Sequence, residues 1–201
     1  MSKIHFYYSA MNAGKSTTLL QSSYNYIERG MQTIIFAPKL DNRFEKPMIY
    51  SRIGLKQEAV GFDQDTDFFE YVSNIKENSQ NLKCILIDEA QFLTKNQVKQ
   101  LTKITTKLSL PVLCYGLRSD FQGEPFTGSM YLLAWAQEII EIKTICHCGR
   151  KATMNLRVDE NGQPIEEGEQ IQIGGNEKYI SCCMVHFRQY NQKFCQDLQT
   201  V

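Results

Sequence analysis

A short loop near the amino terminus carries residues that could bind phosphate. The loop reads Ser9-Ala10-Met11-Asn12-Ala13-Gly14-Lys15-Ser16 and lies between an apolar run and a helical pattern. It matches the pattern G-x-x-x-x-G-K-[ST] except at Ser9, where glycine would be needed only if the backbone required a positive φ. In such loops, backbone N–H groups and the helix N-terminus surround the phosphates. We predict that Lys15 binds the β- and γ-phosphates and that Ser16 holds Mg²⁺.

Two adjacent acids follow a second apolar run, Cys84–Ile87. An acid at the carboxyl end of a parallel strand faces the phosphate loop, so we expect Asp88 to hold Mg²⁺, directly or through water. Glu89 could accept a proton from the attacking oxygen, which is a substrate hydroxyl in a kinase and water in an ATPase. Taken alone, the loop could be a chance Gly-Lys-Ser at a helix start, and Asp88-Glu89 could be a solvated acidic turn. Both pieces in this order indicate phosphoryl transfer from a nucleoside triphosphate.

Cysteines and histidines gather in the last third of the chain. Cys146-His147-Cys148 precedes Cys182, Cys183 and His186, and the C-x-x-H spacing of Cys183 and His186 suits tetrahedral zinc. The seven cysteines are an odd number with close spacing. This pattern favours a metal site beside reduced thiols over a secreted disulfide framework, with unligated buried thiols as the alternative.

The elements that must position these groups follow from an alternation of apolar runs and helical patterns over residues 1–143, which predicts a parallel α/β sheet. The predicted strands are Ile4–Tyr8, Thr33–Ala37, Cys84–Ile87, Val112–Tyr115 and Glu138–Ile142. The predicted helices are Lys15–Glu28, Thr66–Lys76, Lys95–Lys107 and Ser129–Ala136. Residues 39–61 have weak periodicity and are interpreted as loop or irregular structure.

The character of the chain changes after about Ile145. Asn161-Gly162 predicts a hairpin-like turn, and further glycines follow it. So short a segment cannot bury a core of its own, so we expect a metal to stabilise it. The predicted organisation is therefore a nucleotide-binding domain (1–143), a small zinc-binding domain (144–190) and a polar tail (191–201) that is a candidate for disorder.

The overall charge excludes several partners. The chain has 22 basic and 22 acidic residues among 201, so no net positive field favours nucleic acid or an anionic membrane. The amino terminus has no signal-peptide pattern, and the apolar runs are too short to cross a membrane. These features predict a cytoplasmic protein.

Four motifs occur together in the order found in one known family. They are Ser9–Ser16, Asp88-Glu-Ala-Gln-Phe92, Tyr115-Gly-Leu-Arg-Ser-Asp-Phe121 and Gly174-Gly-Asn-Glu-Lys-Tyr179. The chain thus resembles the type II, or cellular-type, thymidine kinases from about Lys3 to Phe187. The resemblance implies a RecA-like α/β P-loop NTPase fold with a small zinc-bound lasso domain over the nucleoside. It also implies transfer of the γ-phosphoryl group of ATP to the 5′-hydroxyl of thymidine, or of deoxyuridine, in nucleotide salvage for DNA synthesis.

The resemblance assigns roles at the phosphate site. Glu89 is implied as the general base for the 5′-hydroxyl, and Ser16 and Asp88 as the Mg²⁺ ligands. The implied ATP-binding residues are Ser9, Ala10, Met11, Asn12, Ala13, Gly14, Lys15, Ser16, Asp41, Arg43, Asp88, Glu89, Ala90 and Gln91. A solvated loop pair is the alternative for Asp41 and Arg43, and Gln91 could equally make structural hydrogen bonds.

Thymine needs a flat apolar slot with polar groups at its edge. The family positions that line it are Met11, Phe92, Leu117, Phe121 and Phe126, which would otherwise be interpreted as ordinary core residues. The positions that close over the base, mainly through backbone groups, are Gln170, Ile171, Gln172, Ile173, Gly174 and Tyr179. A surface hairpin is the alternative for this closing segment.

The family pattern also selects Cys183 over Cys182 as a zinc ligand. The implied ligand set is Cys146, Cys148, Cys183 and His186, with His147 as a less favoured substitute. Four protein ligands leave no open position, so the zinc would be structural.

Two other functions can be weighed. A P-loop GTPase needs a guanine motif of the Asn-Lys-x-Asp kind, and the nearest match, Thr94-Lys-Asn-Gln97, lacks the final acid. A nucleic-acid-binding module or RecA-like motor should be basic, whereas residues 157–178 are rich in acids. The family resemblance further implies a homotetramer or dimer and feedback inhibition by thymidine triphosphate, with no nucleic-acid or membrane partner.

Overall fold

The computed structural model describes residues 2–39, 47–170 and 179–191. The strands are β1 (Ile4–Ser9), β2 (Gln32–Pro38), β3 (Met48–Tyr50), β4 (Lys56–Glu58), β5 (Val60–Phe62), β6 (Leu82–Ile87), β7 (Val112–Leu117), β8 (Glu138–Glu141), β9 (Thr144–Ile145), β10 (Lys151–Ala152), β11 (Met154–Arg157) and β12 (Tyr179–Cys182). The helices are α1 (Lys15–Ile27), α2 (Phe68–Asn78), α3 (Lys95–Lys107), α4 (Thr127–Trp135) and α5 (Met184–Tyr190), and a 3₁₀ turn covers Ala90–Phe92.

A six-stranded sheet forms the centre of the molecule, in the order β5-β2-β6-β7-β1-β8. Its described pairings are all parallel, which confirms the predicted α/β P-loop architecture. Because β7 lies between β1 and β6, the loops that follow these three strands meet at one edge of the sheet. Ligands bind at this carboxyl edge in open α/β sheets.

Local capping sets the first residue of two helices. Helix α2 begins at Phe68 because the Asp67 side chain accepts the Glu70 N–H at 2.9 Å. Helix α3 begins at Lys95, as predicted, since Thr94 and Gln97 form a reciprocal capping box. These caps satisfy backbone N–H groups that have no partner within the helix.

The expectation of irregular structure over residues 39–61 is wrong for the described part of that segment. Strands β3 and β4 form an antiparallel hairpin, and β5 adds to the sheet beside β2. Each of these strands has only three residues, which is too short for a period-two pattern to appear in the sequence. Burial of Ile49, at 3% exposure, anchors the hairpin against Leu19 and Leu20 of α1.

Two apolar layers cover the faces of the sheet. One packs residues of α2, α3 and α4 against β6, and includes Val72, Leu101 and Leu132. The other packs α1 against the opposite face, through Leu19 and Leu20. The sheet is therefore buried on both faces, as continuous apolar strands such as Cys84–Ile87 require.

The residues after β8 form short paired strands and one helix. Strands β9 and β10 pair, as do β11 and β12, and a small cluster of seven buried residues that includes Phe187 lies beneath them. The predicted turn at Asn161-Gly162 is confirmed: Gly162 has a φ of 77° and donates to the Asp159 carbonyl at 3.1 Å. In the described part of the chain, no helix is long and apolar enough to cross a membrane.

Candidate active site and metal centre

The candidate phosphate loop connects β1 to α1. Gly14 has a φ of 86° directly before α1, and Asn12 has a φ of 61°. Ser9, in contrast, is the last residue of β1 and does not have a positive φ. Glycine is therefore not required at that position, and the departure from the usual pattern is compatible with the loop conformation.

The Lys15 side chain is folded into this loop. It is 8% exposed, and its Nζ donates to Ser9 Oγ at 3.3 Å and to the Ala10 carbonyl at 3.5 Å. Burial lowers the pKa of Lys15, while the nearby Glu89 and Asp88 carboxylates oppose that shift. Both hydrogen bonds are long and both acceptor oxygens are neutral. Charged phosphate oxygens would be stronger acceptors for the same ammonium.

Asp88 follows β6 and faces the start of α1. Ser16 Oγ donates to Asp88 Oδ2 at 3.5 Å. Burial raises the pKa of Asp88 to about 7; the neighbouring Glu89 adds to this shift and Lys15 opposes it. A buried carboxylate and a hydroxyl are oxygen ligands of the type that Mg²⁺ prefers, so the pair fits a magnesium site.

Glu89 has an unusual backbone conformation, with φ 48° and ψ 43°. Its Oε2 accepts a hydrogen bond from Gln91 Nε2, and Gln91 Oε1 accepts the Leu117 N–H at 3.0 Å. Gln91 is 3% exposed, so both ends of its buried amide are used within the protein. These bonds connect the Glu89 carboxylate to β7 through Gln91, which favours the structural interpretation of this residue.

A cavity of about 230 Å³, the candidate phosphate cavity, lies between these groups. Its lining consists of residues 11–17 with Tyr50, Ser51, Arg52, Ile53, Glu89 and Leu117. Ser9, Ala10 and Ala90 are buried at 5% exposure or less and are not part of the lining. A carboxylate, a lysine and a helix N-terminus thus face one space, an arrangement that can bind phosphates and accept a proton.

The residues predicted to line the thymine slot face different spaces. Met11 and Leu117 line the phosphate cavity, whereas Phe92, Phe126 and Gln170 line a second cavity of about 350 Å³. The rings of Phe92 and Phe126 meet edge to face, with centroids 5.9 Å apart. The cavity also contains three glutamines and the paired Lys39 and Asp63, so polar groups surround its aromatic rings. A flat apolar surface with polar groups at its edge suits a base.

Phe121, in contrast, lines neither cavity. Its side chain is 2% exposed, and the Arg157 guanidinium lies 5.3 Å from its ring centre. Asn191 Nδ2 also donates to the Phe121 carbonyl at 3.3 Å. In the structure this residue therefore contacts β11 and the C-cap residue of α5.

Six of the predicted site residues lie outside the described part of the chain. They are Asp41, Arg43, Ile171, Gln172, Ile173 and Gly174. The described residues on either side of the segment 171–178 are Gln170, whose Nε2 donates to Asp120 Oδ2 at 2.9 Å, and Tyr179, whose carbonyl accepts from Asn12 Nδ2 at 3.4 Å. Both contacts connect the carboxyl-terminal part to loops at the carboxyl edge of the sheet.

Two residues that the sequence analysis did not select are also central to the site. Asn155 is 3% exposed; its Oδ1 accepts the Met11 N–H at 2.7 Å and its Nδ2 donates to the Ser119 carbonyl at 3.3 Å. An asparagine inside a strand is unfavourable, and this could have marked it for attention. Arg52 also lines the phosphate cavity, but no local pattern singles it out.

A separate cluster brings together Cys146, Cys148, Cys183 and His186, with one ligand atom from each lying within 4.8 Å of the others. His186 Nδ1 is 3.2 Å from Cys146 Sγ and 3.5 Å from Cys183 Sγ, and the sulfurs of Cys148 and Cys183 are 3.9 Å apart. Tetrahedral zinc with Zn–S bonds near 2.3 Å requires sulfurs about 3.8 Å apart. The cluster therefore fits a closed zinc site.

The two alternative ligands have other surroundings. Cys182 is fully buried in the small apolar cluster, and burial raises the pKa of its thiol to about 12. The His147 ring stacks on that of His186, with centroids 4.1 Å apart. The described cysteines, which exclude Cys195, are all free of disulfide bonds.

Comparison with known proteins identifies similar sequences over nearly the whole chain. The family model described as thymidine kinase matches residues 2–187. A thymidine kinase of Coxiella burnetii is 61% identical over 94% of this chain and 96% of its own length. Those of Legionella pneumophila (strain Philadelphia 1) and Salmonella typhimurium are 59% and 55% identical over 94% of this chain, and the matches cover 90% and 91% of their lengths.

Proposed function

The chain belongs to the thymidine kinase family and phosphorylates thymidine, and on this premise we propose how its residues transfer the γ-phosphoryl group of ATP. The observation that carries the proposal is the single cavity in which Glu89 faces the phosphate loop. The product is dTMP, so the reaction belongs to nucleotide salvage.

The phosphate loop and α1 bind the donor in this proposal. Backbone N–H groups of residues 12–16 and the Lys15 ammonium surround the β- and γ-phosphates. When bound, Mg²⁺ would be held by Ser16 and Asp88 and would neutralise charge on the phosphate oxygens. Asp41 and Arg43 remain candidates for the same nucleotide site.

Glu89 is proposed as the general base. Its carboxylate accepts the proton of the 5′-hydroxyl as that oxygen forms a bond to the γ-phosphorus, and the bond from the γ-phosphorus to the bridging oxygen breaks to release ADP. Gln91 orients this carboxylate through its hydrogen bond to Oε2. Positioning of the two substrates supplies much of the rate in this type of reaction.

The nucleoside is proposed to occupy the apolar space beside Phe92 and Phe126. The lasso segment that contains Gln170–Gly174 and Tyr179 would close over the base. Met11, Leu117 and Phe121 are assigned to the slot from the family resemblance alone, since Met11 and Leu117 line the phosphate cavity and Phe121 lines neither cavity. Deoxyuridine would fit the same slot with fewer contacts, because it lacks the 5-methyl group.

The metal, assembly and location are proposed from the cluster and the family resemblance. Structural zinc on Cys146, Cys148, Cys183 and His186 would cross-link the two ends of the lasso domain (144–190), which follows the nucleotide-binding domain (1–143). Free cysteines beside such a site support a reducing compartment, the cytoplasm. A homotetramer and inhibition by thymidine triphosphate are carried over from the resemblance.

Transfer of label from γ-labelled ATP to thymidine tests the function. We expect labelled dTMP from thymidine and little product from cytidine or guanosine, which serve as controls. ATP hydrolysis without labelled dTMP would contradict the assignment. Single-stranded DNA should not stimulate turnover; salt-dependent stimulation by DNA would favour a nucleic-acid motor instead.

A further inference from the structure

The tip of the β3–β4 hairpin lines the phosphate cavity and is closed by two hydrogen bonds. The Ser51 N–H donates to the Leu55 carbonyl at 2.8 Å, and the Leu55 N–H donates to Ser51 Oγ at 2.9 Å. Ile49, buried against α1, fixes the base of the hairpin. The tip residues therefore have a defined position relative to the helix whose N-terminus faces the phosphates.

Arg52 projects from this tip to the phosphate loop. Its Nη2 donates to Asn12 Oδ1 at 2.6 Å, and both residues line the cavity. Among the described residues that line this cavity, Lys15 and Arg52 are the cations, and they come from different elements. The cavity thus has positive charge both on its phosphate loop and on the hairpin beside it.

We propose that Arg52 binds the phosphates of the donor nucleotide, a role that rests on the proposed ATP-dependent transfer. A guanidinium has five donors in a planar fork, whereas the Asn12 carboxamide offers it one neutral oxygen. Phosphate oxygens accept two such hydrogen bonds and make them stronger through charge. When the donor is bound, the guanidinium therefore donates hydrogen bonds to phosphate oxygens, either in place of Asn12 Oδ1 or in addition to it.

The balance of charge in the cavity supports this exchange. The triphosphate of ATP brings more negative charge than Mg²⁺ and one lysine can neutralise, and Glu89 adds a further carboxylate. Arg52 supplies a second fixed cation within reach of the same loop. If Arg52 only held the hairpin to Asn12, a neutral hydrogen-bond donor would be sufficient.

Equilibrium binding of ATP with Mg²⁺, measured without thymidine, tests Arg52 directly. We expect Arg52→Gln to weaken ATP affinity about 10- to 100-fold, the loss typical of charge-assisted hydrogen bonds. Arg52→Lys should recover only part of this affinity, because an ammonium lacks the planar fork. Lys56→Gln is the matched control: it removes the same charge from the same hairpin but lines a different groove, so its ATP affinity should match that of the unaltered protein.

Steady-state kinetics separate this role from a structural one. Arg52→Gln should raise the KM for ATP while the KM for thymidine and the melting temperature stay unchanged. ATP affinity that is unaltered in Arg52→Gln overturns the proposal, and so does a parallel rise of both KM values with a lower melting temperature. If the unaltered protein does not phosphorylate thymidine, the proposed function fails, and ATP binding still decides the role of Arg52.

Discussion

Glu89 shows at the level of one residue how the site is held in place. Its φ of 48° lies in a region that costs a non-glycine residue about 1–3 kcal/mol, so the surroundings must maintain it. The Asp88 Oδ1 accepts the Glu89 N–H at 3.1 Å, and Gln91 holds the Glu89 side chain. The strained turn points the carboxylate into the phosphate cavity instead of along the chain.

Replacement of this carboxylate should separate binding from chemistry. Because an amide keeps the size of the side chain but is a poor base, we expect Glu89→Gln to lower kcat about 10²- to 10⁴-fold. ATP affinity should remain near that of the unaltered protein. Glu77→Gln, at an exposed position of α2, provides a control with the same charge change. Measurement of kcat and of ATP binding checks both statements; an unaltered kcat would remove Glu89 from the role of base.

Gln91 offers a test between its two interpretations. Gln91→Met keeps the volume but leaves the buried Leu117 N–H without its acceptor, so we expect the free energy of unfolding to fall by about 1–3 kcal/mol. If Gln91 acts through Glu89, kcat should fall at an unchanged KM for ATP, and the pH profile of kcat should shift. A higher KM for ATP at unchanged kcat would instead support the direct ATP contact predicted from the sequence.

At the level of elements, the site depends on close packing between α4 and the turn after β6. A Cβ placed on Gly128 of α4 would lie 2.5 Å from the Ala90 carbonyl oxygen and 2.7 Å from that of Gln91. These are backbone atoms, so they can yield only if the whole turn moves. The same turn carries Glu89, and the packing of a helix therefore bears on the position of the candidate base.

Gly128→Ala should therefore destabilise the protein, although alanine usually stabilises a helix. Alanine normally stabilises a helix by about 0.5–1 kcal/mol relative to glycine. Here we expect overpacking to lower the free energy of unfolding by about 1–3 kcal/mol and to reduce kcat as the turn shifts. Met130→Ala, at a 44% exposed position of α4, is the control for a change in the same helix. Denaturant unfolding and kcat measure the effect; a more stable and fully active Gly128→Ala would show that the turn adapts.

At the scale of the whole molecule, long-range hydrogen bonds connect the part after β8 to loops at the carboxyl edge of the sheet. Asn155 joins β11 to the phosphate loop, and Gln170 reaches Asp120 after β7. Among the described residues of this part, the buried cluster has seven members, three of them cysteines, so their apolar burial gives it little stability. A metal bound by residues on either side of β11 would close this part on itself.

Zinc content and its loss test this arrangement. We expect about one zinc ion per chain after chelator-free purification, and Cys183→Ser should abolish stable binding because one of four ligands is lost. The Cys182→Ser variant should keep the ion, because Cys182 is a buried neighbour that is not one of the four candidate ligands. Metal analysis and the melting temperature measure both variants. A zinc content near zero in the unaltered protein, or equal loss in both variants, would contradict the ligand set.

The sequence by itself determined the elements and the motifs. Long apolar runs and helical patterns predicted the main strands and helices within about two residues, because these signals are local. The candidate phosphate loop, Asp88-Glu89 and the four candidate metal ligands were also predicted from residue types and spacing together with the family resemblance. Three-residue strands such as β3 have no such local signal, and the hairpin was missed for that reason.

Only the tertiary structure decided how these pieces meet. The position of β7 between β1 and β6 places Glu89 at the phosphate cavity, and the fold brings Arg52 and Asn155 to Asn12 and Met11 from distant parts of the chain. It also shows that Ser9 needs no positive φ, whereas Asn12 and Glu89 adopt one. Backbone conformation and long-range hydrogen bonds depend on packing between elements, and residue spacing along a single chain does not contain that information.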